Sequence, residues 1–577
     1  MIPKATALDN LRPRLQRLYP GRADWCLEQL KKNVDSRIDG AALVAPRTWN
    51  QRDAVLITYG DQLRRSEEAP LATLHSFLTD AGLNRLINTV HLLPFYPYSS
   101  DDGFSVIDYR AVDPKLGDWD DVRRLGTNFR LAFDLVLNHA SQHSHWFQQY
   151  LAGQSPYDRY FIEADPAEDL SAVVRPRSLP LLTPYETSRG TRHLWTTFSA
   201  DQVDLNFAEP AVLLDLLDVL LFYIRQGARI IRLDAIAYLW KEPGTSCIHL
   251  PQTHEVVKLM RALVDAVAPG VLLLTETNVP HRENISYFGD GDEAHMVYQF
   301  SLAPLLLDAF ISEDAGPLNA WLANLSPPSP GTSYFNFTAS HDGVGVRPLE
   351  GLVSPERLMR LVEEIRRRGG LVSTRRSADG ADSPYELNVS YFDAVADPDT
   401  DSRDSHVRKF LATQAVMLAL QGIPGIYFHS LVGTPGDLEA ARRSGVNRAI
   451  NRRKFAVEEL RQVLGDADSA QARVFAGYQG LLSTRIQQQA FHPDAAQEYC
   501  DLGDSAVVGF LRMATDGRQR ILVAVNVSGQ PRRLTLPETD RWQSAVDLLS
   551  QNDVNPTPGG QLELAPYQVV WLASDAA

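Results

Sequence analysis

The 577-residue chain is poor in cysteine: Cys26, Cys247 and Cys500 stand far apart. No two fall at a metal-ligand or redox spacing, so a thiolate metal site and a dithiol redox pair are excluded, and isolated thiols suit a reducing compartment. The chain also lacks positive charge. It carries 71 Asp and Glu against 56 Lys and Arg, a net −15, the opposite of the basic face that nucleic acid requires. A long apolar run is missing too. The most apolar stretch, 212–224, contains Asp215 and Asp218; it is too short to span a bilayer and reads as a buried helix. The opening segment MIPKATALDNLRPRLQRLYPGR has no apolar run ending in a small-residue cleavage site, so a cytoplasmic protein with no membrane partner is expected. No internal repeat, low-complexity tract, phosphate-binding glycine loop or transition-metal cluster is found, and no cofactor is expected.

What is present is an ordinary globular composition, 44% hydrophobic and 22% charged. At this length one large domain with smaller companions is expected. Residues 1–52 are charged and helix-prone and read as an added N-terminal helical layer. Eight short β-branched or aromatic runs follow, at 54–59, 89–95, 130–137, 229–233, 271–275, 296–300, 334–338 and 423–428. Helical patterns separate them, which predicts a (β/α)8 barrel over 53–465. Two gaps exceed ordinary loops, 140–206 after the third strand and 343–401 after the seventh. Both are expected to wall the C-terminal face, where barrel enzymes keep their active sites. Short alternating strands from 466 to 577 predict an antiparallel β domain.

The chemistry stands at the strand ends. The third strand leads through Asp134 to Asn138 and His139, the fourth ends Arg232-Leu233-Asp234, the fifth ends in Glu276, and the seventh leads to His341-Asp342. A lone Asp after a strand is usually a helix cap or half of a salt bridge, and a lone His is more often structural. Three carboxylates on three strand ends of one barrel converge on one mouth, which is what glycoside cleavage needs: an acid for the leaving oxygen and a carboxylate for the anomeric carbon.

These four segments resemble the four short conserved regions of glycoside hydrolase family 13, the α-amylase family, and the resemblance runs from about Val55 through the C-terminal domain. It implies Asp234 as nucleophile, Glu276 as general acid/base and Asp342 as transition-state stabiliser, with His139, Arg232 and His341 around the first sugar. Many relatives hold a structural calcium, and Asn138 is the one residue that suggests such a site here; no metal ligand is assigned.

The finer resemblance is to the sucrose phosphorylase branch, carried by HLLPFYPYSSDDGFSVIDYRAVDPKLGDWDDV, RPRSLPLLTPY, TFSADQVDLN, RLDAIAYLWKEPGTSC, SHDGVGVRPLEG and NRAINRR. It implies Asp101, Phe104, Gln202 and Arg448 in the glucose subsite. Phosphorolysis replaces water by a dianion and so needs cations over the mouth; Arg175 and Arg177 in the first insertion, and Arg375 and Arg376 in the second, are the candidates. Three features depart from the sucrose enzymes: a longer N-terminal extension, Pro176 where sucrose 6-phosphate relatives are expected to carry arginine, and Glu386 where a glutamine is expected. They bring the chain nearer to phosphorylases of glucosylglycerate or glucosylglycerol. Glu386 is expected to accept from a small polyol, while nearby arginines offer a grip for a glycerate carboxylate, so charge alone leaves the acceptor open. The expected partners are a small α-glucoside, inorganic phosphate and α-glucose 1-phosphate, handled by a monomer or homodimer. The alternatives are a sucrose phosphorylase, a family 13 hydrolase or transglucosidase, and a catalytically dead scaffold barrel, the last disfavoured by the intact carboxylate set.

Overall fold

A computed structural model describes residues 4–38, 49–177, 179–376, 382–554, 556–557 and 559–575. Eight parallel strands close a barrel: β1 (Val55–Thr58), β2 (Thr89–Leu92), β3 (Arg130–Val136), β4 (Ala228–Asp234), β5 (Leu272–Thr275), β6 (Met296–Tyr298), β7 (Ser333–Phe337) and β8 (Ile423–Tyr427). Each lies within a few residues of its predicted run. The strands are buried almost throughout, as expected of a parallel sheet covered on one side by helices and filled on the other by its own side chains. Polar groups can then appear mainly where a strand leaves the barrel.

Register fixes which strand ends meet. Asp134 pairs with Arg232 and Val136 with Asp234 across β3 and β4, while Thr275 of β5 pairs with Leu233. Glu276, the next residue, therefore leaves its strand beside Asp234. Asp342 lies five residues beyond the end of β7.

The apolar stretch at 212–224 forms most of the helix Pro210–Arg225, which opens on proline and takes a cap from Glu209, whose Oε1 accepts from the Ala211 N–H at 3.2 Å. Its apolar surface extends nearly all round because its outer side is covered by the N-terminal helix Ala23–Arg37, which buries Cys26, Leu27, Leu30 and Val34. The charge of Asp218 inside this layer is met by Arg37, through two contacts of 2.8 Å, and by Arg110 at 2.6 Å. Among the described residues no helix is long and apolar enough to cross a membrane.

The first insertion contributes the helix His145–Leu151 and the hairpin Leu182–Thr187/Gly190–Trp195. In the second, Val344–Gly345, Asp382–Asn388 and Leu371–Arg376 form a three-stranded sheet with Asp382–Asn388 at its centre. The C-terminal six-stranded antiparallel sheet begins at Ala496 rather than near residue 466; between them the helix Ala470–Arg485 packs on the barrel helix Arg403–Ala419. Strand periodicity divides that domain: Ile521, Val523 and Val525 join the barrel core, whereas Leu522 and Ala524 pack with Leu534, Trp542 and Leu572 in a second core.

Candidate active site

A cleft opens at the C-terminal ends of the strands, lined by Asp234, Glu276 and Asp342 together with Asp101, Phe104, His139, Gln202, His341 and Arg448. Every residue expected in the catalytic set and the glucose subsite thus faces this one space, except Arg232, which lies directly behind it. Sequence reading missed Phe198, Tyr238, Asn278 and Tyr385, which complete the wall.

Arg232 is 2% exposed and organises the carboxylates. Its Nη1 donates to Asp234 at 2.7 Å and also to Asp134, while Nη2 stands 3.7 Å from Glu276. Asp134 is held from the far side by His91 at 2.7 Å. Burial raises the pKa of Asp234 to about 8 and also raises that of Glu276, Arg232 opposes both rises, and the neighbouring carboxylates add to them, Glu276 and Asp134 at Asp234 and Asp342 at Glu276. The guanidinium is 2.7 Å from Asp234 and 3.7 Å from Glu276, so it offsets a negative charge on Asp234 more strongly than one on Glu276. Directly after Asp234, Ala235 adopts φ +50, a left-handed conformation uncommon for alanine, and its N–H points to Glu276 Oε2 at 3.3 Å.

Asp342 has the opposite environment. Burial would raise its pKa, but Arg448 at 2.5 Å and Arg452 at 3.8 Å hold it below the ordinary carboxylate range. Arg452, another residue the sequence reading passed over, donates to the His341 carbonyl at 2.8 Å and to Asp102 at 2.9 Å. The His341 ring stacks on Phe104 at 4.6 Å with 6° between planes. Burial and the neighbouring arginines keep His341 neutral by driving its pKa well down. His139 accompanies Gln202, its Nε2 2.8 Å from the Phe104 carbonyl, so these three form one polar and aromatic wall.

Asn138 faces a lysine. Its Oδ1 accepts from Lys241 Nζ at 2.5 Å; the same ammonium lies 2.8 Å from Asp204 and donates to the Tyr238 carbonyl. This donor set encloses a lysine cation and, as arranged, does not fit a divalent ion. Among the described residues no group of three or more His, Cys, Asp and Glu is placed to hold a metal.

The candidate arginines separate. Arg177 lines the cleft, and its nearest carboxylate oxygen, on Glu386, is 3.9 Å away. Arg175 belongs to the same loop but is not part of the lining, and neither is Arg375, which donates to Glu350 at 2.8 Å. The Arg376 side chain lies outside the described residues. Glu386, expected to face the acceptor, is 1% exposed and sits behind Arg448, accepting from its Nε at 2.9 Å and its Nη2 at 2.8 Å.

Comparison with known proteins matches residues 83–323 to the α-amylase catalytic domain and residues 499–571 to the maltogenic amylase C-terminal domain. The chain is 49% identical over 530 residues to a glucosylglycerate phosphorylase of Spirochaeta thermophila, covering 90% of this chain and 89% of that one. It is 44% identical to the glucosylglycerate phosphorylase of Escherichia coli, covering 97% and 98%. Among solved structures, the sucrose 6F-phosphate phosphorylase of Thermoanaerobacter thermosaccharolyticum superposes with a TM-score of 0.72 at 26% identity, over 85% of this chain and 96% of that one. With a closed barrel, three carboxylates at its mouth and relatives of this kind, the chain belongs to the α-amylase family, glycoside hydrolase family 13, in its branch of sugar phosphorylases.

Proposed function

We propose that the protein catalyses the reversible phosphorolysis of glucosylglycerate to α-glucose 1-phosphate and glycerate, with retention at the anomeric carbon. Asp234 attacks that carbon while Glu276 gives its proton to the departing glycerate oxygen, leaving a glucosyl ester on Asp234. Phosphate then enters where glycerate left, Glu276 takes back a proton from it, and a phosphate oxygen displaces Asp234. Asp342 and Arg448 hold the sugar hydroxyls as the ring flattens, and His341 and Phe104 form the surface beneath it.

One observation carries the choice of acceptor: Arg177 lines the cleft without a carboxylate inside hydrogen-bond range, whereas Arg232 and Arg448 are in close contact with carboxylates. Phosphate and glycerate occupy the same space in turn and both are anions, so one guanidinium serves both. Glycerol and fructose bring no charge to it. The two glucosylglycerate phosphorylases, at 49% and 44% identity, support the same reading. The free thiols Cys26, Cys247 and Cys500 support a reducing, cytoplasmic setting.

The test is phosphate release from α-glucose 1-phosphate with separate additions of D-glycerate, glycerol, fructose and fructose 6-phosphate. D-Glycerate is expected to give the highest kcat/KM by at least about tenfold, the value of one charge-assisted contact. A preference for glycerol or fructose contradicts the acceptor assignment, and release unaffected by every acceptor contradicts phosphorolysis of this kind.

A further inference from the structure

Glu386 lies on the central strand of the second insertion, yet every short contact of its carboxylate leads toward the glucose side of the cleft. Oε1 accepts from Arg448 Nε at 2.9 Å and from the Gly343 N–H at 2.7 Å; Oε2 accepts from Arg448 Nη2 at 2.8 Å. The remaining nitrogen of that guanidinium, Nη1, is the one 2.5 Å from Asp342. Glu386 therefore holds both the cation in front of Asp342 and the peptide immediately behind it. The approach is close enough that a Cβ on Gly343 would fall 2.7 Å from Glu386 Cγ and 2.6 Å from the Leu387 carbonyl oxygen, so residue 343 has to be glycine for this strand to seat. A carboxylate that is 1% exposed and engaged by three donors has little capacity left for an acceptor hydroxyl.

We propose that Glu386 is a positioning residue for the glucosyl-transfer step: its carboxylate aims Arg448 at Asp342, so the second insertion completes the glucose subsite when it seats rather than reading the acceptor through this side chain. A bidentate guanidinium–carboxylate pair is directional, and a planar fork gripped on one edge presents its remaining nitrogen along a fixed line. Without the grip, Arg448 rotates about its long side chain and Asp342 loses its closest cation. The inference rests on retaining glucosyl transfer at Asp234 and not on the identity of the acceptor.

Hydrolysis of α-glucosyl fluoride in water isolates that step, because it needs neither phosphate nor glycerate. Glu386→Gln, which keeps size and one acceptor oxygen but loses the charge, is expected to lower kcat/KM for the fluoride about 10–100-fold, the scale of a displaced catalytic contact. KM for phosphate in phosphorolysis is expected to stay within about twofold. Glu386→Asp, which keeps the charge but withdraws it by one methylene, is expected to recover part of the loss. In an Arg448→Met background Glu386→Gln is expected to add less than about twofold, since the group it positions is gone. Unchanged fluoride hydrolysis with a tenfold rise in the KM for glycerate or phosphate overturns the proposal in favour of direct acceptor contact. An equal loss in both backgrounds overturns it in favour of a general structural role, and thermal unfolding of each variant accompanies the kinetics. If the wild-type enzyme cleaves the fluoride but no acceptor releases phosphate from α-glucose 1-phosphate, the phosphorylase reading fails while the test of Glu386 still stands.

Discussion

Two regions of this molecule draw arginines out of solvent for different ends. At the barrel mouth Arg232, Arg448 and Arg452 face carboxylates from separate strands and loops: Asp134 and Asp234, Asp342 and Glu386, Asp101 and Asp102. At the junction with the C-terminal domain Arg485 and Arg512 are both fully buried, and their close partners are backbone carbonyls. Arg485 Nε donates to Leu418 at 2.8 Å, and Arg512 donates to Ala419 at 2.5 Å and His492 at 2.9 Å. Leu418 and Ala419 close the barrel helix Arg403–Ala419, whose C-terminal carbonyls carry partial negative charge and have no partners within the helix. The junction thus uses a full positive charge to satisfy dipoles and fix two domains together. The mouth uses the same side chain to keep several carboxylates ionised in a desolvated space, a costly arrangement that chemistry explains and stability does not.

The comparison predicts losses of activity at one region and of stability at the other. The largest effect is expected from Asp234→Ala: phosphorolysis falls on the order of 10⁴–10⁶-fold, as when a covalent nucleophile is removed, while thermal unfolding shows a folded protein. Near-normal turnover in the folded variant breaks the assignment. Glu276→Gln is expected to lose about 10²–10⁴-fold with glucosylglycerate, whose leaving group needs a proton, and far less with α-glucosyl fluoride. Because burial raises the Glu276 pKa, the acid form exists below that raised value and is lost as pH rises through it. The alkaline limb of wild-type kcat/KM should therefore flatten in the glutamine variant, and an unchanged limb assigns the proton elsewhere.

A smaller effect is expected from Arg177→Met, which should raise KM for phosphate and for glycerate together by roughly 10–100-fold, corresponding to one charge-assisted pair. A rise for one anion alone would show that the two use different cations. At the junction, Arg512→Met leaves the carbonyls of Ala419 and His492 without their donor. Stability is expected to fall by roughly 1–3 kcal/mol for each carbonyl left dry, seen as a lower Tm, with kcat per folded molecule retained. Lost kcat at unchanged Tm would erase the distinction between the two regions.

The fold was legible because a parallel barrel writes itself as apolar runs with polar residues at their ends, and Asp234 and Glu276 stand at such ends. The helix Ala470–Arg485 was not separated from the β domain; it is rich in alanine and glycine and has little one-sided apolar character. Interiors of strands were legible only in part. Asp134 and His91 lie within β3 and β2, where a polar residue in an otherwise apolar run signals a buried network, yet nothing in the order of residues pairs them with Arg232. Contacts across distant segments were illegible for the same reason. Glu386 meets Arg448 across 62 positions, and Lys241 meets Asn138 across 103, so one read as an acceptor contact and the other left Asn138 as a lone calcium candidate. Arg485 and Arg512 gave no sign of burial, since arginine is ordinarily a surface residue.

The most direct test of the account is to trap the glucosyl-enzyme with 5-fluoro-α-glucosyl fluoride and sequence the labelled peptide by mass spectrometry. The fluoroglucosyl group is expected on Asp234, with phosphate accelerating its release as α-configured sugar phosphate. A label on Glu276 or Asp342, or turnover of the reagent by Asp234→Ala at the wild-type rate, contradicts it.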